Sequence, residues 1–279
     1  MFDIAIGVAG VVMVETHRQK HTFKNTFTKV GLEGFTGPTP YLPRDLLLGS
    51  GRQTDPYLAT ALANPEKTVR QESVHHKTII QDDTIIAIRK IEAAVPKGTA
   101  WTLREIATLL DDSAGWNNRL HLTYALVRDS AGELSEISFE PDEEVKITYY
   151  LQFHWPRSVR VTSATVEDGR GGVETIGATF VCGWGGTIPN NWGASWFALY
   201  DHALSELPDG KGKGSSTGAN GVLHSERSSV GSWRGYGCSS SNPAFTYGIN
   251  FDEPLVKTNT QTLQVRISWK FKNVTPIEV

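Results

Sequence analysis

Methionine and cysteine are nearly missing from this chain of 279 residues, which holds two of each. The cysteines, Cys182 and Cys238, are too few for a disulfide framework, so burial has to hold the fold together. They could pair in an oxidising compartment or stay reduced, and the sequence leaves both open. Long basic runs are also missing, and the formal net charge is -3, which argues against nucleic acid as a partner. No apolar run reaches the roughly 18 residues that a membrane helix needs. The opening MFDIAIGVAGVVMV lacks a basic start and carries Asp3, so it reads as a strand and not as a signal peptide. Without a targeting segment the expected place of synthesis and assembly is a cytosol.

Glycine (27) and tryptophan (8) are plentiful by contrast. Glycine supplies turns, and large aromatics fill the space between sheets. Short runs of β-branched and alternating residues recur along the chain, punctuated by turn residues. They place strands at Ile4–Val14, His21–Val30, Leu46–Leu48, Ser73–Ile80, Thr84–Ala94, Ala100–Leu110, Leu120–Arg128, Ser135–Phe139 and Val145–Phe153. Gln81-Asp82-Asp83 reads as a hairpin turn. A further strand is expected over Ser158–Glu167. At the far end TLQVRISWKFK (Thr262–Lys272) alternates Leu263, Val265, Ile267, Trp269 and Phe271 against polar residues, giving one core face and one wet face.

Helical signals are few. Asp55–Leu62 suits one or two turns, with Pro56 at the first position. Only Trp196–Leu207 has sustained helical spacing, ended by Pro208 and Gly210. The expected fold is therefore mainly β: antiparallel β-sandwiches with long loops and at most one or two short helices. A boundary is read at His154-Trp155-Pro156-Arg157, giving a sandwich over residues 1–156 and a second β region over 157–279, whose last strand returns to the first domain. Asp209–Gly221, DGKGKGSSTGANG, reads as a surface loop.

The segment LLLGSGRQTDPYLATAL (Leu46–Leu62) raises the question of a phosphate loop. A P-loop needs a lysine and a hydroxyl after its last glycine, and the dinucleotide fingerprint needs a glycine where Thr54 stands. Both fail, so Gly49 and Gly51 are read as the exit from a buried strand with positive φ. Eight histidines are scattered without an HxH pair or HExxH, which gives no metal site. No nucleophile elbow is assigned. The doublets Asp82/Asp83, Asp111/Asp112 and Glu143/Glu144 are read as solvated turn residues, and Asp168–Gly172 as a hairpin turn lacking calcium ligands. No catalytic residue, cofactor site or metal site is assigned. The most suggestive set is Trp184, Trp192, Trp196 and Trp233, interleaved with Asn190, Asn191 and glycines. Such residues stack on sugar rings, fill space between loops, or mark subunit contacts.

The order of segments carries a resemblance. Asn25 and Gly31-Leu32 are followed by LLLGSG with Thr54 and Pro56, then Leu103-Arg104-Glu105-Ile106, Asn118-Arg119-Leu120 and finally Asp142–Tyr149. This series resembles a domain of minor structural proteins of tailed bacteriophages: tail fibre, collar, and tail-tip or baseplate components. Ala107 stands where that series carries glycine. The match covers most of residues 20–155 and the last strand. The resemblance implies a β-sandwich used in virion assembly, made in the host cytoplasm, with other copies and other tail proteins as partners. Those copies are expected to associate symmetrically, in a multiple of three. The alternative is a receptor- or glycan-binding tail-tip protein that uses the four tryptophans.

Overall fold

The computed structural model describes residues 2–34, 43–98, 100–110, 121–167, 173–184, 194–200, 220–224, 231–240, 245–257 and 264–279. The protein is mainly β, built on a large curled antiparallel sheet with one short helix. Its hub is β1 (Phe2–Glu15). Along one edge β1 pairs antiparallel with β11 (Val145–Pro156), from Gly7↔His154 to Glu15↔Lys146. Its other edge is shared between two neighbours. Gly10–Glu15 pairs antiparallel with β2 (Lys20–Phe27), while Phe2–Val8 pairs parallel with β18 (Gln264–Asn273). At the fork the Phe27 N–H donates to Asn273 Oδ1 at 2.8 Å, and Asn273 Nδ2 donates to the Phe27 carbonyl at 3.0 Å. A side-chain amide thus supplies the two bonds that a paired strand would have made there.

Two wings extend from the hub. On the β11 side lie β6 (Thr84–Val95) and β5 (Ser73–Gln81). Their turn sits on Asp82, whose φ is 50°. On the β2 side follow β9 (His121–Leu126), β8 (Glu105–Leu110), β3 (Pro43–Gly49) and β4 (Pro65–Arg70). β15 (Asn220–His224) extends β18. The short strands β7 (Trp101–Leu103) and β10 (Ile137–Phe139) pair with each other. A five-stranded sheet runs in the order β12 (Ser158–Glu167), β13 (Val173–Trp184), β17 (Phe245–Lys257), β16 (Gly231–Ser240) and β14 (Ala194–Tyr200).

Alternation decides what each strand buries. Even positions of β1 (Ile4, Ile6, Val8, Val12, Val14) and odd positions of β11 (Val145, Ile147, Tyr149, Leu151, Phe153, Trp155) are nearly inaccessible. They form one cluster with Leu46, Leu48, Ile106 and Leu122 of the opposite wing and with Ala178, Phe180, Ile249 and Phe251 of the second sheet. The wings meet through polar groups as well. Asn25 Nδ2 donates to the Tyr149 hydroxyl at 2.6 Å, and the Thr108 and Thr123 hydroxyls bond each other at 2.8 Å. Burial pushes the Tyr149 phenol up to about 12. Gly10, opposite Asn25, is required by space: a Cβ there would lie 1.8 Å from Asn25 Oδ1.

The structure revises several elements. Trp196–Leu207 is not a helix where it is described, since Ala194–Tyr200 is strand β14, laddered to the glycine-rich β16; residues 201–207 lie outside the described residues. Bulky apolar residues serve either element, and here the partner strand decides. Asp55–Leu62 forms a single turn, with Asp55 Oδ1 accepting from the Tyr57 N–H at 2.9 Å. The one described helix, α1 (Lys29–Gly34), begins inside the expected strand His21–Val30. Thr28 caps it, its hydroxyl accepting from the Gly31 N–H at 2.8 Å. Ala100–Leu110 breaks at Arg104, whose N–H turns to the Gly49 carbonyl at 2.9 Å. Of the expected loop Asp209–Gly221, the last two residues, Asn220 and Gly221, belong instead to strand β15, where β18 supplies the ladder; residues 209–219, the Asp168–Gly172 turn, Asp111/Asp112 and Asn118–Leu120 lie outside the described positions.

Candidate functional site

Two places concentrate polar side chains. The first is the glycine pair. Leu46 and Leu48 carry β3 into the core, and the chain then leaves through Gly49-Ser50-Gly51. Beneath this exit lies Glu105 of β8, fully buried. Its carboxylate accepts from the Ala63 N–H at 3.0 Å, from the Asn64 N–H at 2.8 Å and from the Tyr124 hydroxyl. Tyr124 in turn accepts from the Gln53 N–H at 2.8 Å. Burial first, and then the carboxylate beside it, raises the Tyr124 pKa. A Cβ on Gly49 would lie 2.6 Å from the Asn64 carbonyl oxygen, and one on Gly51 2.6 Å from the Asn64 nitrogen. Neither glycine has positive φ, so the expected reason is corrected: the pair is glycine because backbone and carboxylate press on it. A phosphate would meet an anion here, with the nearby N–H groups already bonded to that anion. The segment is a joint.

Glu143 also departs from expectation. It is not a solvated turn residue; its side chain is 1 % exposed. It accepts from Arg18 Nε at 3.0 Å and from a second Arg18 guanidinium nitrogen, clamping the β1–β2 turn to the turn before β11. The Arg18 hydrogen bonds pull the carboxyl down to about 2 against the cost of burial. Its neighbour Glu144, like Asp82 and Asp83, is exposed.

The second place is the outer face of β2, β1, β11 and β6, where the segment Val274–Val279 lies across the sheet. Its anchor is Gln152, a buried amide on β11. Gln152 Nε2 donates to the Ile277 carbonyl at 2.9 Å, and the Ile277 N–H donates to Gln152 Oε1 at 2.9 Å. The Val274 N–H adds a bond of 3.0 Å to the Val8 carbonyl. Room for the crossing comes from Gly7, where a Cβ would sit 2.8 Å from Val274 Cγ1. A groove of about 520 Å³ separates the segment from β2, with Val11, Met13 and Tyr150 as floor and Lys20 and Lys24 as wall. A smaller one of about 280 Å³ lies towards β5, beside His75, Lys77 and Lys90. Farther along this face Glu92 holds Lys90 and Lys146, each at 2.8 Å, and Ser73 at 2.9 Å. Those contacts pull its carboxyl down to about 2. Sequence reading passed over Gln152, Lys20 and Lys24. The available signals were one amide inside the run VKITYYLQFHW and two lysines on the wet face of an alternating strand.

The expected tryptophan set is not gathered by the backbone register. Trp192 lies outside the described residues. Trp184 pairs with Phe245, Trp196 with Ser239 and Trp233 with Leu255. Trp196 and Trp184 are thus three strands apart, about 14 Å at the usual spacing, and Trp233 is six residues along β16 from Ser239, about 20 Å. Cys182 and Cys238 both pair with Tyr247, from opposite sides of β17. Two strand spacings put their Cα atoms about 10 Å apart, beyond disulfide reach within one chain. Among the described residues no three His, Cys, Asp or Glu side chains converge as a metal site would need.

Comparison with known proteins adds no relative. No protein-family model, curated protein or solved structure matches the chain.

Proposed function

We propose that the chain is a structural protein of a bacteriophage tail, in the fibre, collar, or tail tip or baseplate. There it joins copies of itself and neighbouring tail proteins and performs no chemistry of its own. The observation that supports this reading is what the residues behind the phage resemblance do in the fold. Asn25 bonds Tyr149 across the core. Gly31 packs on the backbone of Leu122, where a Cβ would lie 2.1 Å from the carbonyl oxygen. Gly49, Gly51 and Glu105 make the buried joint. Each closes the sheet on itself. Residues spent on closure suit a part whose work is to place its surface rigidly against other parts.

The test is location. Electron cryomicroscopy of intact particles, or labelling of particles with an antibody to this chain, is expected to find it in the tail at symmetric positions. A protein absent from particles and released free from infected cells overturns the reading.

A further inference from the structure

We infer that the outer face of the large sheet is a self-association surface, on which the segment Val274–Val279 of one copy seats in the groove of a second copy. The inference rests on the assembly reading and adds where the grip lies.

The shape comes first. Val274–Val279 is a ridge across this face, held by Gln152 and Val8, and the groove beside it is bounded by Lys20, Thr22 and Lys24 of β2. A ridge with a parallel groove is complementary to its own copy. A two-fold axis between facing sheets lays each ridge in the other's groove, and both contacts form at once. Such a contact serves a dihedral ring as well as a lone dimer.

Charge gives the same pairing. Lys90 and Lys146, on the same face, are each closed onto Glu92 at 2.8 Å. Lys20 and Lys24 on the groove wall have no carboxylate within 4.0 Å among the described residues; Glu15, opposite Lys20 in the ladder, does not close on it. The ridge carries the complement, the exposed Glu278. Between these charges the floor is apolar and half-buried (Val11, Met13, Tyr150), matched by Pro276, Ile277 and Val279 on the ridge. An apolar centre with charged flanks is the anatomy of a protein interface. In the pair, Glu278 of one copy meets Lys20 and Lys24 of the other.

Sedimentation of the whole chain over a concentration series tests this. The parent protein is expected to self-associate, and more weakly as salt rises. K20E/K24E is expected to weaken association at least tenfold with an unchanged circular dichroism spectrum and melting midpoint, because both side chains are exposed. Adding E278K to that variant is expected to restore association. Should the double variant not fold, K24Q read against the same salt series decides. A folded K20E/K24E that associates like the parent overturns this surface and leaves the assembly reading standing. A parent monomeric at every concentration overturns the inference, while the location experiment decides the assembly reading separately.

Discussion

The joint at Glu105 and the ridge at Gln152 solve one problem in two ways. In each, a side chain with two hydrogen-bonding atoms satisfies backbone that has no strand partner. At Glu105 the backbone is the 63–64 segment, and the charge is fully enclosed with a tyrosine and two glycines packed on it. At Gln152 the backbone is Ile277, held on the outer face near Lys20 and Lys24, which have no carboxylate within 4.0 Å among the described residues. Both side chains are buried; an amide suits one donor and one acceptor of Ile277, whereas a carboxylate suits a place where three donors converge. The difference separates a region closed on the chain itself from the one that the proposed self-association would use.

Glu105→Ala gives the largest separation between the two. It strands two backbone N–H groups and the Tyr124 hydroxyl, at about 1–3 kcal/mol each, so urea unfolding is expected to show a loss of about 3–5 kcal/mol. Gln152→Leu frees one N–H and one carbonyl of Ile277 and the His154 ring nitrogen, with no charged group among them, and is expected to cost about 1 kcal/mol. Equal losses would remove the distinction between closed joint and open face.

The glycines sharpen the same contrast. Gly49→Ala drives a methyl against the Asn64 carbonyl, which is backbone and cannot yield, and overpacking of this kind costs about 1–3 kcal/mol. At Gly7 the nearest obstacle is the Val274 side chain at 2.8 Å, which can swing aside. Gly7→Ala is therefore expected to cost under about 1 kcal/mol and to loosen the ridge, seen as faster amide exchange at Val274 and Ile277. A Gly7 variant as damaged as the Gly49 variant would mean that the ridge is part of the core.

How much of this was readable in the sequence follows from the range of the interactions. The β5–β6 hairpin, β11 and β18 were legible because alternation over five or more residues fixes a face locally. β16, GSWRGYGCSS, was not, since its glycines and serines have little strand preference and it is held by ladders on both sides. The carboxylates were the hardest. Glu105 lies about 40 residues from Ala63 and Asn64, and Glu143 lies 125 residues from Arg18. An acid's surroundings cannot be read from its own neighbours when the partner comes from another wing. Gly49 and Gly51 were identified as special positions, but only the fold could tell close approach from positive φ.

Acid gives the smallest effect, and it falls on the open side and its rim. Glu143 and Glu92 both have carboxyls held near 2, below their ordinary value of 4.5, by Arg18 in one case and by Lys146 and Lys90 in the other. A group depressed in the folded state adds stability that is complete above its unfolded pKa and is lost as pH falls through the folded one. The melting midpoint is therefore expected to hold above pH 4.5 and to slope downward between about 4.5 and 2. Arg18→Met should flatten part of that slope, because Glu143 then loses the guanidinium that contributes most to holding it charged. Its unfolding free energy should approach the parent's in strong acid, where the parent's pair is also broken. If R18M keeps the parent's full acid slope, the clamp between the β1–β2 turn and β11 contributes nothing, and the slope belongs to the lysines around Glu92.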